Sequence, residues 1–225
     1  MLALHSFQFS LAGEDLWALA GGGLWWEARR MLVVGDLHLG KALRLTRAGG
    51  PILPPYEATE TLRRLEVLIR AVDPGVVLCL GDSFDDLGAS GELEADARLW
   101  LLRLMAGRKW LWAVGNHDPG PVDLPGELIG EMTEGALSFR HIASSSARGE
   151  ISAHFHPKAR ITAKRASLTR PCFLIDQSRV ILPALGSLTG GLHCHEPVLA
   201  GLMQADALAI LTGERALPIP MPRRA

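Results

Sequence analysis

The sequence predicts an α/β fold built around a sheet with parallel strands. Three short apolar runs, Met31–Val34, Val76–Leu80 and Trp110–Val114, have the length and composition of buried strands. Between them lie two stretches with apolar residues at helical spacing, so the order is strand, helix, strand, helix, strand. Each run also ends in a glycine followed by polar side chains: Asp36-Leu37-His38, Asp82, and Asn116-His117-Asp118.

Residues 6–35 read as short strands broken by Gly13, Gly21, Gly22 and Gly23, with Met31–Val34 the first buried strand. Lys41, Arg44, Arg47, two glycines and three prolines in 41–55 predict a long basic loop. Apolar residues at 62, 65, 68, 69 and 72 predict a helix over Glu57–Val72. A second helix is predicted over Gly91–Met105. The second half changes character. Short strands are predicted at 136–142, 150–154, 159–163, 172–176, 179–184 and 207–212, and a loose Pro-rich tail at 216–225. No repeat or linker-like boundary interrupts the chain, so residues 1–225 read as one domain built from two sheets.

The chain has 225 residues, 48% of them hydrophobic, enough to bury a sizeable core. A formal charge of −1 makes no global claim about nucleic acid or membrane, so any electrostatic footprint must be local. Cys79, Cys172 and Cys194 are sparse and odd in number, which predicts reduced buried thiols rather than a disulfide framework or a thiolate zinc site. The first twenty residues lack a basic segment and carry Glu14 and Asp15, a poor secretion signal. No apolar run approaches the roughly 18–20 residues of a membrane helix. The expectation is a soluble, cytoplasmic protein with no membrane partner.

In open α/β sheets, ligands collect outside the carboxyl ends of the strands. The three strand ends therefore bring Asp36, His38, Asp82, Asn116 and His117 to one edge. His141 ends another strand-like segment, and alternation in an extended chain would point His154 and His156 the same way. Carboxylate, imidazole and amide ligands without thiolate suit Mn²⁺, Fe or Zn²⁺. The seven groups Asp36, His38, Asp82, Asn116, His141, His154 and His156 exceed the needs of one ion. Two ions about 3.5–4 Å apart, sharing a carboxylate and a hydroxide, would use them and suit in-line attack on a phosphoryl group. His117, with Asp118 beside it, is free to assist the leaving oxygen.

DLH (36–38), GDSFD (81–85), GNHD (115–118), His141 and HFH (154–156), in this order, resemble the calcineurin-like metallophosphoesterases. DLHLGKALRL, HFHP (154–157), RPCFLID (170–176) and LPALGSLTGG (182–191) are similar to one bacterial branch, the ligase-associated DNA damage response endonucleases. The resemblance implies a four-layer α/β/β/α sandwich of two mixed β-sheets flanked by helices. It implies one metal site from Asp36, His38, Asp82 and His156. It implies a second from Asp82, Asn116, His141 and His154, with Asp82 bridging. His117 would be the catalytic imidazole, oriented by Asp118. Mn²⁺ is the expected ion, with Fe or Zn²⁺ as alternatives. The implied partners are DNA, single-stranded or flexible, and a functional association with a DNA ligase, a helicase and an exonuclease. Two positions depart from the pattern: Ala153 stands where a glycine is usual, and Leu185 where a phenylalanine is expected.

Local charge adds to this. Arg140, Arg148, Lys158, Arg160, Lys164, Arg165 and Arg170 face only Glu150 in 140–170, and Lys41, Arg44 and Arg47 have no acidic neighbour in their own loop. Lys41, Arg44, Arg47, Lys158 and Arg160 are thus candidate phosphate contacts. A solvated face that balances acids in 82–96 would carry the same charges. His193 and His195 flank Cys194 with nothing nearby to complete a coordination sphere. His5 reads as a surface residue, and the six tryptophans read as core packing. The leading expectation is a Mn²⁺-dependent phosphodiesterase cutting DNA in repair. A small-molecule phosphatase or nucleotide phosphodiesterase on the same centre is the alternative. A non-catalytic scaffold fits poorly, since no ligand is lost.

Overall fold

The computed structural model describes residues 5–47, 49, 56–86, 88–120, 122–146, 148–163 and 166–223. The first sheet contains β1 (Phe7–Leu11), β2 (Glu14–Ala18), β3 (Leu24–Trp26), β4 (Met31–Val34), β5 (Val76–Leu80), β6 (Lys109–Ala113) and β7 (Glu127–Ile129), in that spatial order. Neighbours among β1–β4 run antiparallel, and β4 through β7 run parallel, as the alternation of strand and helix predicts. The connections carry α1 (Lys41–Arg47), α2 (Tyr56–Val72) and α3 (Ala95–Met105).

The second sheet contains β8 (Met132–Glu134), β9 (Leu137–Phe139), β10 (Glu150–Ser152), β12 (Ala166–Ile175), β13 (Arg179–Ile181), β14 (Leu208–Leu211) and β15 (Leu217–Pro220). Its strand β12 also pairs with β11 (Lys158–Ala163) in a hairpin off the main path. A short helix, α4 (Pro197–Leu202), which the sequence reading did not anticipate, starts with proline at its first turn, where a missing N–H costs nothing.

Alternating residues of the strands explain the layering. Leu32, Val34, Val77, Cys79, Trp110 and Trp112 pack against Leu62, Leu65, Ile69, Leu101 and Leu104 of α2 and α3. The intervening Met31, Val33, Leu78, Leu80, Leu111 and Ala113 meet Ile151, Phe173, Val180 and Ile210 of the second sheet. That sheet's outer face packs Cys172, Leu174, Ile181 and Leu211 on Leu199 of α4. Period-2 side-chain alternation thus builds two mixed β-sheets face to face with helices outside, the predicted sandwich. The tryptophans are core and near-core groups: Trp25, Trp26, Trp110 and Trp112 are buried, and Trp17 and Trp100 pack at the margin. The three cysteines are free and buried, and His5 is exposed.

Two expectations fail here. The basic loop begins as a helix, because Lys41–Arg47 is rich in helix formers and is held by tertiary contacts; of the rest of 41–55, all but Gly49 lies outside the described residues. The tail is not loose over 217–221. Leu217–Pro220 pairs antiparallel with β14, and Met221 is buried in the third core cluster. Pro218 and Pro220 fit because β15 is an edge strand, where a missing N–H breaks no ladder. Met221→Ala is expected to lower unfolding free energy by about 2–3 kcal/mol, the cost of emptying a buried methionine site. Urea denaturation checks this; an unchanged midpoint would mean that the tail adds nothing to the core.

Candidate metal centre

The parallel strands of both sheets deliver their carboxyl ends to one edge. Asp36 follows β4, Asp82 follows β5 and Asn116 follows β6; His141 follows β9, and His154 and His156 follow β10. A bridge between Gly35 and Ala184 ties the two sheets at this edge. Three overlapping groups of potential ligand atoms result: Asp36, His38 and His156; His38, Asp82 and His117; and Asp82, His141 and His154. Asn116 Oδ1 lies 3.0 Å from His141 Nε2 and joins the last group.

Distances within the cluster are short. His156 Nε2 stands 3.2 Å from Asp36 Oδ1, His141 Nε2 3.3 Å from Asp82 Oδ2, and His38 Nε2 3.9 Å from Asp82 Oδ2. Asp36 and Asp82 are almost fully buried. Burial pushes the Asp82 carboxyl up, but the hydrogen bond from His141, its charge, the His117 N–H and the His38 charge outweigh that and hold it at about 2. Burial lowers His141, and its contacts with Asp82 and Asp36 more than reverse this. Burial and neighbouring His141 both lower His154.

The backbone is bent to make this cluster. Asp36, His38, Asp82, His154 and His156 all have φ between 46° and 70°. Each such non-glycine residue carries about 1–3 kcal/mol of strain, which persists where the surrounding structure serves a site. The reason anticipated for His154 and His156 is therefore corrected. The segment is not extended, and its two rings go to different groups, His154 to Asp82 and His141, His156 to Asp36 and His38. Ala153, the departure from glycine, fits because Gly35 faces it; a Cβ at 35 would lie 2.8 Å from the Ala153 methyl.

Asp118 takes a different place from the one expected. It does not touch the His117 ring. Its Oδ1 accepts N–H bonds from Asp82 and Gly115, at 3.0 and 3.1 Å, and its Oδ2 from Ser83 and Phe84, at 2.8 and 3.1 Å. It clamps the turn that presents Asp82. A Cβ on Gly115 would lie 2.2 Å from the Asp82 backbone nitrogen, so only glycine permits this approach. Burial, reinforced by the Asp82 charge, raises the Asp118 carboxyl to about 6 against the pull of the Phe84 and Ser83 N–H groups.

His117 is positioned by Asp85 instead. Its Nδ1 lies 3.2 Å from the Asp85 carbonyl oxygen, and its own N–H donates to Asp82 Oδ1 at 2.9 Å. The Asp85 carboxylate is fully buried and sits 2.7 Å from His38 Nδ1, which turns His38 Nε2 toward Asp82. Burial raises Asp85, but the bonds from His38 and Arg44 and the Lys41 charge hold it below its usual range. Sequence reasoning placed Asp85 inside the GDSFD motif without giving it a role; its spacing of three from Asp82 was the available signal.

The candidate phosphate contacts divide. Arg44 pairs with Asp85, and Lys41 Nζ lies 3.7 Å from the same carboxylate. Arg47 binds Asp86 at 2.6 Å and Glu92 at 2.7 Å. These three cations answer acids of the 85–92 segment, brought close by the fold. Lys158 Nζ donates to the Thr189 carbonyl and Arg160 Nε to Ser167 Oγ, and neither meets a carboxylate among the described residues. Lys164 and Arg165 lie outside those residues, and Arg140 pairs with Glu131 and Glu150. His193 and His195 stack at 5.4 Å and join no ligand group among the described residues.

The family model of calcineurin-like phosphoesterases matches residues 29–162, well over half of the chain and all seven clustered side chains. The chain belongs to the calcineurin-like phosphoesterases. It is a metal-dependent phosphoesterase, a hydrolase. Its structure is similar to that of the Pseudomonas putida nuclease MPE, with a TM-score of 0.72 and 26% identity over 95% of this chain and 100% of that one. No curated protein matches the chain. No helix among the described residues is long and apolar enough to cross a membrane.

The donor set of this phosphoesterase fits divalent ions on its own chemistry. His38 Nε2 and His156 Nε2 are buried and make no hydrogen bond, yet each faces a carboxylate oxygen, Asp82 at 3.9 Å and Asp36 at 3.2 Å, a placement that a cation between them would satisfy. Asp85→Asn is expected to weaken Mn²⁺ binding about 10–100-fold, the usual effect of removing a carboxylate behind a ligating imidazole. Calorimetric titration of the metal-free protein measures it. Divalent-ion affinity is also expected to rise with pH, because Asp82 and Asp36 favour protonated His141, and a protonated imidazole offers no lone pair to a cation.

Proposed function

We propose that this phosphoesterase is a phosphodiesterase that cleaves the backbone of DNA, single-stranded or flexible, and that it works in DNA repair. The single observation that carries the reading is the overlap of three ligand groups, two of them sharing Asp82 and two sharing His38, with His117 beside the Asp82 carboxylate. Asp36, His38, Asp82 and His156 would hold one ion, and Asp82, Asn116, His141 and His154 a second. Mn²⁺ suits this mixed oxygen and imidazole set, with Fe or Zn²⁺ as alternatives. When bound, such a pair supplies Lewis acidity, activation of water and neutralisation of phosphate charge.

The chain's own residues do the rest. Asp82 stays ionised and shared. Asp85 fixes His38 through its carboxylate and His117 through its carbonyl. With Nδ1 engaged, His117 keeps Nε2 to hold or give a proton at the leaving oxygen. Asp118 keeps the 82–84 turn from shifting. Lys158 follows directly on the HFHP segment, and with Arg160 it supplies positive charge without a carboxylate partner, suited to phosphates on either side of the cut. The nuclease named among similar structures supports a nucleic-acid substrate, and the stretches similar to the ligase-associated branch support repair, alongside a DNA ligase, helicase and exonuclease.

With Mn²⁺, the protein is expected to nick circular single-stranded DNA, and Asp82→Ala and His117→Ala to lose nicking. Equal nicking by wild type and both variants, or faster turnover of p-nitrophenyl phosphate than of bis-p-nitrophenyl phosphate, would favour the small-molecule phosphatase reading. In DNA-binding titrations against salt, Arg160→Ala is expected to flatten the log–log slope by about 0.7, the loss of one single-strand phosphate contact. Arg47→Ala should leave the slope unchanged, since its charge is spent on Asp86 and Glu92.

A further inference from the structure

We infer that the outer face of the β11–β12 hairpin, widened by the segment that carries His193 and His195, is the surface along which a single-stranded polynucleotide runs from the metal centre, with the two imidazoles as its base-stacking step. The inference rests on the phosphodiesterase reading above and deepens it. Register places the residues. Lys158 pairs antiparallel with Pro171 on one side and forms a parallel bridge to His193 on the other. The Lys158 N–H donates to the Leu192 carbonyl at 2.8 Å, and the Cys194 N–H to the Lys158 carbonyl at 2.9 Å, so residues 192–194 lie alongside β11. Side chains alternate across such a sheet. Ala159, Cys172 and Cys194 go inward, into the third core cluster. Lys158, Arg160, Thr169 and His193 therefore share the opposite face, where Arg160 and Thr169 are exposed and Lys158 and His193 half-buried. The His195 ring joins them, stacked on His193 at 5.4 Å and 11°.

This face is continuous with the metal centre. Lys158 stands two residues beyond His156, and the Leu192 N–H donates to the Phe155 carbonyl at 3.1 Å. A Cβ on Gly191 would lie 2.1 Å from the His156 carbonyl oxygen, so the 191–193 segment is seated directly on the ligand-bearing loop. Its chemistry is complementary to a polyanion. Lys158 Nζ and Arg160 Nε are engaged by the Thr189 carbonyl and Ser167 Oγ, and neither cation meets a carboxylate among the described residues. Glu196 Oε1 lies 3.7 Å from His195 Nε2, a half-exposed pair that binds the ring weakly. Neither histidine joins a metal-ligating group among the described residues. Cations that follow phosphates, set beside flat rings that accept a base, are the combination that tracks a single strand without reading its sequence. A base can extend the two-ring stack, and a duplex cannot, because its base faces are already covered.

The test is fluorescence anisotropy of labelled oligo(dT) on the full chain in EDTA, with a duplex of equal length beside it. The double variant His193→Ala, His195→Ala is expected to bind oligo(dT) about tenfold more weakly, the usual worth of one stacked base, and to bind the duplex as wild type does. Its log–log salt slope should stay the same, because a lost stack releases no counterions. His193→Phe with His195→Phe keeps two flat rings and should restore the oligo(dT) affinity. Equal oligo(dT) binding by wild type and the alanine variant overturns the inference. So does a loss that phenylalanine fails to restore, or one shared in proportion by the duplex, since either would make the rings only supports for the hairpin. Photocrosslinking of wild type to an oligonucleotide carrying 5-iododeoxyuridine needs no variant. Adducts on the 193–195 peptide are expected, and adducts confined to other peptides overturn the inference. None of these measurements needs turnover. The expected binding pattern without any nicking of DNA would sink the phosphodiesterase reading and leave the surface standing, whereas nicking by wild type with unchanged binding by the alanine variant would sink the surface alone.

Discussion

A single buried carboxylate, Asp82, is shared by two groups of side chains that could hold a metal ion, and the turns around it keep it there. It lies between His38 on one side and His141 on the other, and its second oxygen receives the His117 N–H. A charge in this position is tolerable only when every direction around it is occupied by a donor or a cation. The turn that carries it is correspondingly constrained, with φ of 46° at Asp82 and four backbone N–H bonds to Asp118 across the turn and its neighbour Gly115.

The layers around the site serve the same end. Two sheets whose parallel strands stop at one edge bring side chains distant in sequence within a few ångströms. The core between the sheets fixes their relative position through interdigitated apolar residues. Behind the ligands, Asp85 links His38, His117, Lys41 and Arg44 into one buried network. Lys41, Arg44 and Arg47 answer carboxylates of the 85–92 segment, whereas Lys158 and Arg160 of β11 meet no carboxylate among the described residues.

Several features were legible before folding because they are local. The parallel core follows from three apolar runs with helices between them, each ended by glycine. The ligand types follow from what stands at those ends. The ordered motifs then tied His141 and the HFH pair to the same centre, and the structure brings all of them together. Less was legible where the partner is remote. Lys41–Arg47 was read as loop because the glycines and prolines after it dominate the composition, whereas Asp85 and Glu57 hold it as a helix. Asp118 stands next to His117 in the chain and was given to it, yet its oxygens reach backbone from a different strand end. The proline-rich tail was read as loose because its pairing depends on being at a sheet edge.

What the amino-acid sequence by itself determined is therefore the chemistry and the period: which donors exist, which strands bury both faces, and which edge the donors share. Tertiary structure alone decided which carboxylate supports which imidazole and which cations meet a carboxylate. The reason is physical. Side-chain type and alternation are carried by neighbouring residues, but hydrogen-bond pairing and desolvation arise between segments that meet only after the two sheets close on each other.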